Sequence, residues 1–465
     1  MTLIQSISGI RGTIGGAPRE GLSPVDIVEF AGAYGMWLIG RNPEKKIVVV
    51  LGRDGRVSGQ MVSSLVVSTL QALGIDVVDA GLSTTPTIEI GVKAYEAQGG
   101  IIITASHNPR NWNALKLLNE SGEFLTAEQG VEMKAFSDPG SFRFVPVEKL
   151  GKYASDDKLL QLHIDKILSL PLVDAHAIAA AGFSVVVDGI NSSGGIAVPK
   201  LLKALGVEHV TEIYCDPTGL FKHNPEPLPE HLQRLSDEVV KANAHVGFAV
   251  DPDVDRLAIV CEDGEMFGEE YTLVSVSDYV LSHTPGNTVS NLSSSQALAE
   301  ITSARGGQHF YSAVGEVNVV AAMKEHNAII GGEGNGGVIY PSLHYGRDAL
   351  VGIALFLTQM AKSGLTCSRL KKKYPQYHIS KNKIELSPDV NLKNIISRLA
   401  EKYGRNRIDM TDGLKIWFDN EWVHLRLSNT EPIIRLYAES TSPGTADHIA
   451  NKIMQDISEL LKDLS

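Results

Sequence analysis

The sequence predicts an α/β protein of four domains, three of them built alike and a smaller α+β domain at the C-terminal end. Three observations predict it. A strand–helix–strand pattern occurs twice and, more weakly, a third time; the pattern changes after Lys383; and 465 residues exceed one ordinary core at about 100–150 residues per domain.

The first copy, residues 46–80, reads as strand KIVVVLG, a polar loop, a helix ending in TLQALGI and strand DVVDAG. Residues 183–216 repeat the plan as FSVVVDG, a Ser/Gly-rich loop, a helix ending in LLKALGV, and EHVTEIYCD. The stretch 288–313, TVSNLSSSQALAE then GGQHFYSAVG, is the weaker third copy. Units of this length imply mainly parallel sheets with helices on both faces. The last segment differs. After the basic, Pro-containing stretch Lys371 to Lys383 come a strand (Lys383 to Leu386), a helix (Leu392 to Tyr403), and two alternating segments, LKIWFD and EWVHLRL, joined at Asn420 as an antiparallel hairpin. A closing amphipathic helix over about Thr445 to Leu464 sets Ile449, Ile453, Ile457, Leu460 and Leu461 on one face. The expected domain limits are 1–152, 153–256, 257–372 and 373–465.

Composition narrows the function class. A hydrophobic content of 43% supports a folded globular chain. No run reaches about 18 apolar residues, and the start MTLIQSISGIRG lacks a basic segment followed by an apolar one, so a soluble cytoplasmic protein without a membrane partner is expected. A formal charge of -12 disfavours nucleic acid or an anionic membrane, yet not an anionic small substrate, which responds to local charge. Cys215, Cys261 and Cys367 are odd in number, widely spaced and without metal-ligand spacing, so buried thiols are expected rather than disulfides or a zinc site.

Two distant segments carry the chemistry. Thr104-Ala105-Ser106-His107-Asn108-Pro109 follows the apolar run Gly99 to Thr104, which places Ser106 on a loop past the C-terminal end of a buried strand. Asp251-Pro252-Asp253-Val254-Asp255-Arg256 follows the apolar run Val246 to Val250. Three carboxylates at alternate positions converge on one hard divalent cation if the backbone turns there, and a serine beside such a cation can carry a phosphoryl group. Taken alone, Ser-His-Asn-Pro is a turn sequence. The rival for the acidic triplet is an EF-hand calcium loop, since Glu262 falls twelfth from Asp251; against it, Arg256 occupies the sixth position where that loop needs Gly, Pro252 stiffens the start, and the flanks GFAV and LAIV are strand-like.

Four further loops are glycine-rich or cationic: Ser8-Gly9-Ile10-Arg11-Gly12, Gly52-Arg53-Asp54-Gly55-Arg56, Gly332-Glu333-Gly334-Asn335-Gly336-Gly337, and Arg426-Leu427-Ser428-Asn429-Thr430-Glu431-Pro432 with Arg435 after it. Each has a structural reading. Glycine-rich loops are turns, Arg53 and Arg56 can pair with carboxylates such as Asp54, and Arg426 can snorkel from a strand. Their joint occurrence points to a site where the domains meet, with cationic forks and hydroxyls of the kind a phosphate prefers.

On these residues the chain resembles the α-D-phosphohexomutase family over essentially its whole length and in the expected order. TASHNP is similar to the family's phosphoserine loop, DPDVDR to its metal loop, GEGNGG to its sugar-recognition loop and RLSNTEP to its phosphate-anchoring loop. The resemblance implies three similar mixed-sheet α/β domains plus a C-terminal α+β domain around a central cleft. It also implies that Ser106 is phosphorylated in the resting enzyme, passes its phosphoryl group to a hexose phosphate, and recovers the other phosphate from a bound 1,6-bisphosphate. By the same resemblance, Mg2+ is held by Asp251, Asp253, Asp255 and the phosphoserine at Ser106, Arg256 contacts that phosphate, and a hexose 1,6-bisphosphate acts as activator. Glu333 and Asn335 would hold sugar hydroxyls, while Arg426, Ser428, Asn429, Thr430 and Arg435 would anchor the phosphate that is not being transferred. Proton transfer falls to Arg11, His107 or Lys116, the last within Trp112-Asn113-Ala114-Leu115-Lys116, which is similar to the family's Tyr-Asn-Gly-x-Lys; His107 can equally be a hydrogen-bond donor to the phosphate. The expected partner is a phosphosugar, and the expected assembly a monomer or homodimer.

Departures from the family pattern bear on the sugar. Where many members read Gly-Glu-x-Ser-Gly-His, this chain has Asn335 for the serine and Gly337 for the histidine, and Pro252 replaces the usual Gly of the metal loop without changing the carboxylate spacing. Val314-Gly315-Glu316-Val317-Asn318 followed by GEGNGG resembles the phosphoglucosamine mutases of the archaeal-like type, whereas Ser428-Asn429-Thr430 is common in the mannose/glucose branch. The expected reaction is the interconversion of glucosamine 6-phosphate and glucosamine 1-phosphate, with a phosphomannomutase or phosphoglucomutase as the alternative. A metal-dependent phosphohydrolase stands further off, because it need not retain a bisphosphate on a separate phosphate anchor, and so does a non-enzymatic sugar-phosphate or calcium-binding protein, which would leave Ser106 unphosphorylated.

Overall fold

Four β-sheets succeed one another along the chain, in a computed structural model that describes residues 2–6, 9–385, 392–427 and 433–464. The first sheet holds β1 (Ile4–Ser6), β2 (Gly9–Thr13), β3 (Val48–Arg53), β4 (Asp76–Leu82), β5 (Gly99–Ile103), β6 (Trp112–Leu118) and β7 (Tyr153–Ser155), in the order β1-β2-β6-β5-β3-β4-β7. Strand β3 runs parallel to β4 and β5, whereas β2 and β6 are antiparallel, so the sheet is mixed. Side-chain alternation sorts its apolar residues onto two faces. Val49, Leu51, Ile101 and Ile103 pack on one side and Val50 and Ile102 on the other, as expected of a sheet covered by helices on both sides.

The second sheet joins β8 (Ser184–Asp188), β9 (His209–Ile213), β10 (Val246–Val250) and β11 (Leu257–Cys261), ordered β11-β10-β8-β9. The third joins β12 (Asn287–Asn291), β13 (His309–Ser312), β14 (Ala328–Glu333) and β15 (Gly337–Ile339), ordered β13-β12-β14-β15. Both repeat one plan: parallel central strands and one antiparallel edge hairpin, β10–β11 and β14–β15, whose turn carries a motif loop. The three copies read from the sequence are therefore present, including the weak third one. The helix Ala349–Ser363 is buried around most of its circumference and belongs to a single core shared by the second and third units.

Two expected domain limits divide sheets. Tyr153–Ser155 pairs with β4 and Leu257–Cys261 with β10, so limits at 152 and 256 each part a strand from its own sheet. The first is short and exposed, with no apolar pattern to mark it, and the second lies beyond a metal-type loop that is a hairpin turn rather than a domain end.

The last sheet is antiparallel throughout: β16 (His378–Glu385), β17 (Arg407–Asp409), β18 (Leu414–Trp417), β19 (Trp422–Leu427) and β20 (Ile433–Ser440), ordered β16-β20-β19-β18-β17. The strand expected at Lys383 to Leu386 begins five residues earlier at His378, and Leu386 lies outside the described residues. Its inner face, with Leu414, Ile416, Val423, Leu425, Ile434 and Leu436, packs on Ile395, Leu399, Ile453 and Ile457 of the helices Leu392–Lys402 and Pro443–Leu464. Each such side chain contributes about 1.5–3 kcal/mol on burial. The outer face meets the third unit: His424 Nδ1 lies 2.9 Å from Ser293 Oγ, Lys415 Nζ donates to Leu292 O at 2.7 Å, and Gln296 N donates to Glu439 Oε1 at 3.0 Å. Among the described residues no helix is long and apolar enough to cross a membrane.

Candidate active site

Ser106 lies three residues past β5 in a left-handed backbone conformation, φ +47°, and Val254 at the tip of the β10–β11 turn has φ +65°. For a β-branched residue that conformation is a genuine outlier, and strain of this kind costs on the order of 1–3 kcal/mol and collects at functional loops. Both loops are held from outside. The Arg56 guanidinium, fully buried, donates to Ser106 O at 2.5 Å, Asn108 O at 2.7 Å, Pro109 O at 2.7 Å and Trp112 O at 3.0 Å, and its Nε pairs with Asp54 at 3.0 Å. Thr104 Oγ1 donates to Asp54 and accepts from Ser106 N. The structural reading of the Arg53–Arg56 loop therefore holds for Arg56. Gly55 permits the contact with the second unit, because a Cβ there would lie 2.8 Å from Ser192 Cα.

The metal-type loop turns on itself as three converging carboxylates require. Asp251 Oδ1 accepts from the backbone of Asp255 and Arg256 at 3.1 and 3.2 Å, and ligand atoms of Asp251, Asp253 and Asp255 lie within 4.8 Å of one another with no exposure. Ser106 Oγ donates to Asp251 Oδ2 at 2.6 Å, so the two loops, 145 residues apart, form one centre. Lys116 on β6 reaches Asp253 at 2.6 Å and Asp255 at 3.4 Å, and Thr85 Oγ1 donates to Asp253 at 2.5 Å. Asp253 Oδ1 and Asp255 Oδ1 are buried with no hydrogen-bond partner among the described residues. Two orphaned carboxylate oxygens beside Ser106 form a hard all-oxygen donor set, which fits a divalent cation such as Mg2+.

The electrostatics agree with a site suited to a cation. Burial, then the neighbouring Asp255 and Asp253, pushes the Asp251 carboxyl well above the usual carboxylate range. Burial also works against ionised Asp255, but Arg347 and Lys116 outweigh it and hold that carboxyl below its ordinary value. Lys116 is drawn down by burial, yet Asp253 and Asp255 more than offset this and raise it above an ordinary lysine. His107, with Nδ1 3.4 Å from Ser106 Oγ, is kept well below its usual pKa by burial and by Arg256, so its ring is neutral. Burial and Arg256 lower Arg11 as well. Arg256 pairs with Glu226 at 3.3 Å and keeps a buried Nε without a partner among the described residues, a donor left for an anion.

Arg347 was not singled out by sequence reasoning, and it joins the loops. Its guanidinium contacts Asp255 at 2.7 Å, Glu333 at 2.7 Å and Glu316 at 3.0 Å, tying metal loop to sugar loop. Glu333 also accepts from Asn291 Nδ2 and Gly315 N, while Asn335 Oδ1 accepts from Gly337 N. Contacts then run to the last domain: Val314 N donates to Asp412 Oδ2 at 3.0 Å, and Arg426 lies 3.9 Å from that carboxylate. Arg426 stands directly opposite Arg435 across β19 and β20, and Arg435 opposite Lys383 on β16. Three cations abreast on one sheet face repel one another unless an anion lies over them. Lys383 is a second omission; only the basic stretch ending there signalled it. Ser428, Asn429 and Thr430, and Ser8 of the first loop, lie outside the described residues.

Family models described as phosphoglucomutase/phosphomannomutase α/β/α domains I, II and III match residues 3–139, 161–264 and 268–377, and the C-terminal domain model matches 389–456. The chain belongs to the phosphoglucomutase/phosphomannomutase family. It is accordingly an enzyme of the phosphohexomutase class, an isomerase. A "Phosphoglucomutase/phosphomannomutase" from Thermococcus kodakarensis is 35% identical over 458 residues, covering 97% of this chain and 99% of the relative. A protein named "Probable phosphoglucosamine mutase" from Methanopyrus kandleri is 32% identical over 463 residues, covering 98% of each. The crystal structure of a phosphoglucomutase/phosphomannomutase family protein from Burkholderia thailandensis superposes with a TM-score of 0.83 at 25% identity over 98% of both chains.

Proposed function

We propose that the protein interconverts hexose 6-phosphates and 1-phosphates through a phosphoserine at Ser106 and a bound hexose 1,6-bisphosphate, with glucosamine phosphate as the preferred substrate. The observation that carries the phosphoserine reading is the 2.6 Å contact between Ser106 Oγ and Asp251 inside three buried carboxylates. Asp251, Asp253, Asp255 and the phosphoserine would hold Mg2+, which when bound offsets the charge built up on the transferring phosphoryl group.

In the forward half-reaction a sugar hydroxyl attacks the phosphoserine phosphorus, the bond from phosphorus to Ser106 Oγ breaks, and the hydroxyl proton leaves for a protein base. His107 is the neutral one among Arg11, His107 and Lys116 and its Nδ1 lies 3.4 Å from the serine oxygen, so it takes the hydroxyl proton and hands it to Ser106 Oγ as the phosphoryl group leaves, while Arg11 and Lys116 supply positive charge. Arg256 Nε is placed to donate to the transferring phosphate. Arg426 and Arg435, with Ser428, Asn429 and Thr430, would anchor the other phosphate in both sugar orientations. The second half-reaction returns the other phosphate to Ser106 Oγ. A hexose 1,6-bisphosphate that escapes leaves a dephosphorylated serine, so added bisphosphate should act as activator.

The sugar preference is supported by the acceptors that surround the sugar loop. Glu316 and Glu333 border the sugar loop, and Glu270 lies so close to Gly334 that a Cβ there would be 2.0 Å from its Oε2. Arg347 offsets Glu316 and Glu333, and burial pushes the Glu270 and Glu316 carboxyls above their ordinary range, so these groups would serve as hydrogen-bond acceptors for a sugar ammonium rather than as a block of negative charge, and the Asn335 amide can serve a neighbouring hydroxyl. Mannose and glucose phosphates form the second reading, favoured by the Ser428-Asn429-Thr430 sequence. The test is kcat/KM for the 1-phosphates of glucosamine, glucose and mannose with Mg2+ and a hexose bisphosphate present. At least a tenfold preference for glucosamine, about 1.4 kcal/mol, is expected. Equal or better turnover of the neutral sugars removes the glucosamine assignment, and release of inorganic phosphate instead of isomer removes the mutase reaction.

Chelation gives an independent check. Stripping divalent cations is expected to lower turnover by about 100-fold or more, since a cation at a phosphoryl site contributes several kcal/mol, and Mg2+ should restore it. Full activity in excess chelator would remove the cation from the aspartate loop.

A further inference from the structure

We propose a second metal site, formed by His163, His344 and Asp348 and suited to a divalent cation of zinc type. His163 Nε2 and His344 Nε2 lie 2.9 and 3.2 Å from the same Asp348 Oδ2, and the three ligand atoms lie within 4.8 Å of one another. Tetrahedral bonds of about 2.0–2.1 Å place neighbouring ligand atoms about 3.3 Å apart, so the cluster needs only a small expansion to receive an ion. His163 and Asp348 have no exposed side-chain surface and His344 has 11%.

The outer nitrogens face oxygens, as they do in metal centres, where a ligating histidine hands its other N–H to an oxygen. His163 Nδ1 lies 2.9 Å from Thr87 Oγ1, and His344 Nδ1 lies 3.2 Å from Glu89 Oε2. Both rings are thereby oriented with Nε2 towards one point. Asp348 divides its oxygens in the same sense: Oδ1 caps the following helix by accepting from Leu350 N and Val351 N, and Oδ2 faces the histidines.

Hydrogen bonding closes the Asp348 side of the cluster and leaves the Glu89 side open. Glu89 is 1% exposed, yet both its carboxylate oxygens and His344 Nδ1 lack an aligned hydrogen-bond partner among the described residues. A divalent cation balances the Glu89 and Asp348 charges with both imidazoles neutral, and gives His344 Nδ1–H a reason to turn to Glu89. Two imidazoles with one carboxylate select zinc or cobalt over magnesium, which prefers an all-oxygen set. The site would staple three parts of the chain: the helix Thr85–Ala94 of the first domain, the helix Leu159–Leu168, and the segment 344–348 of the third unit. Arg347 lies between His344 and Asp348, so the same staple would fix the residue that joins Asp255 to Glu333.

The experiment uses the full chain, stripped of metal by a chelator, dialysed, and titrated with Co2+ in excess Mg2+. Expected is one equivalent of Co2+ with the intense visible absorption of tetrahedral coordination, kept in Asp251→Asn, lost in His163→Gln and in His344→Gln, and displaced by Zn2+. Zn2+ should also raise the wild-type unfolding midpoint and leave that of His344→Gln unmoved. No tetrahedral spectrum in the wild type, its persistence in both histidine variants, or its loss in Asp251→Asn while that variant stays folded by far-UV circular dichroism would each overturn the proposal. The wild-type titration decides even if a histidine variant fails to fold.

Discussion

Replacing Ser106 with alanine is expected to lower mutase turnover by roughly four to six orders of magnitude, about 5–8 kcal/mol of barrier, the scale seen when the atom that carries the transferred group is removed. The fold should survive. Alanine carries the same left-handed penalty at φ +47° as serine does, and among the described residues the side-chain bonds lost are those to Asp251 and His107. Circular dichroism and the unfolding midpoint should therefore match the wild type, while intact-mass measurement should find phosphate on the wild type and none on Ser106→Ala. The pairing of readouts separates causes. A folded, phosphate-free, inactive variant assigns the phosphoryl group to Ser106 Oγ; turnover within tenfold of wild type would remove Ser106 from the reaction altogether.

Much of this architecture was legible because its signals are local. The strands leading to Ser106 and Asp251 are five-residue apolar runs, and the metal-type loop keeps its carboxylates at alternate positions. The first two copies of the strand–helix–strand unit were readable for the same reason. What escaped notice depends on contacts across domains. Arg347 sits in an ordinary turn-like stretch, and nothing near it in sequence announces that Asp255, 92 residues away, and Glu316, 31 residues away, will meet its guanidinium. Lys383 acquires meaning only once β16 and β20 pair and set it opposite Arg435. Strand β20 was not expected either: the polar loop before it carries the stronger local signal, although the segment IIRLYAES forms an interior strand of the last sheet. The borders at 152 and 256 failed where an edge strand has too little apolar character, or follows a functional loop too closely, to declare its sheet.

Removing Arg56 should do more damage to stability than removing Ser106 does. Its five bonds connect the phosphoserine-type loop to Asp54, and no water reaches either partner, since both side chains have zero exposure. Arg56→Ala strands the Asp54 carboxylate, already pushed up by burial and held down in part by Arg56, and leaves four carbonyl oxygens short of a donor. Breaking a buried pair from one side costs about 3–5 kcal/mol. In a chain of several domains this is read as a shift of the first unfolding transition rather than as a global free energy, and for a domain near 150 residues it corresponds to roughly 6–20 °C. The Ser106 loop should loosen with it, and a displacement of about 1 Å at a reacting atom lowers kcat on the order of 100-fold. Arg56→Lys discriminates charge from geometry: a lysine can still pair with Asp54 but cannot hold four carbonyls at once, so it should recover part of the stability and little of the activity. A midpoint within 2 °C of wild type in Arg56→Ala, set against the expected shift of roughly 6–20 °C, would mean that the loop is held by Thr104 and the sheet alone, and that the buried guanidinium contributes no net stability.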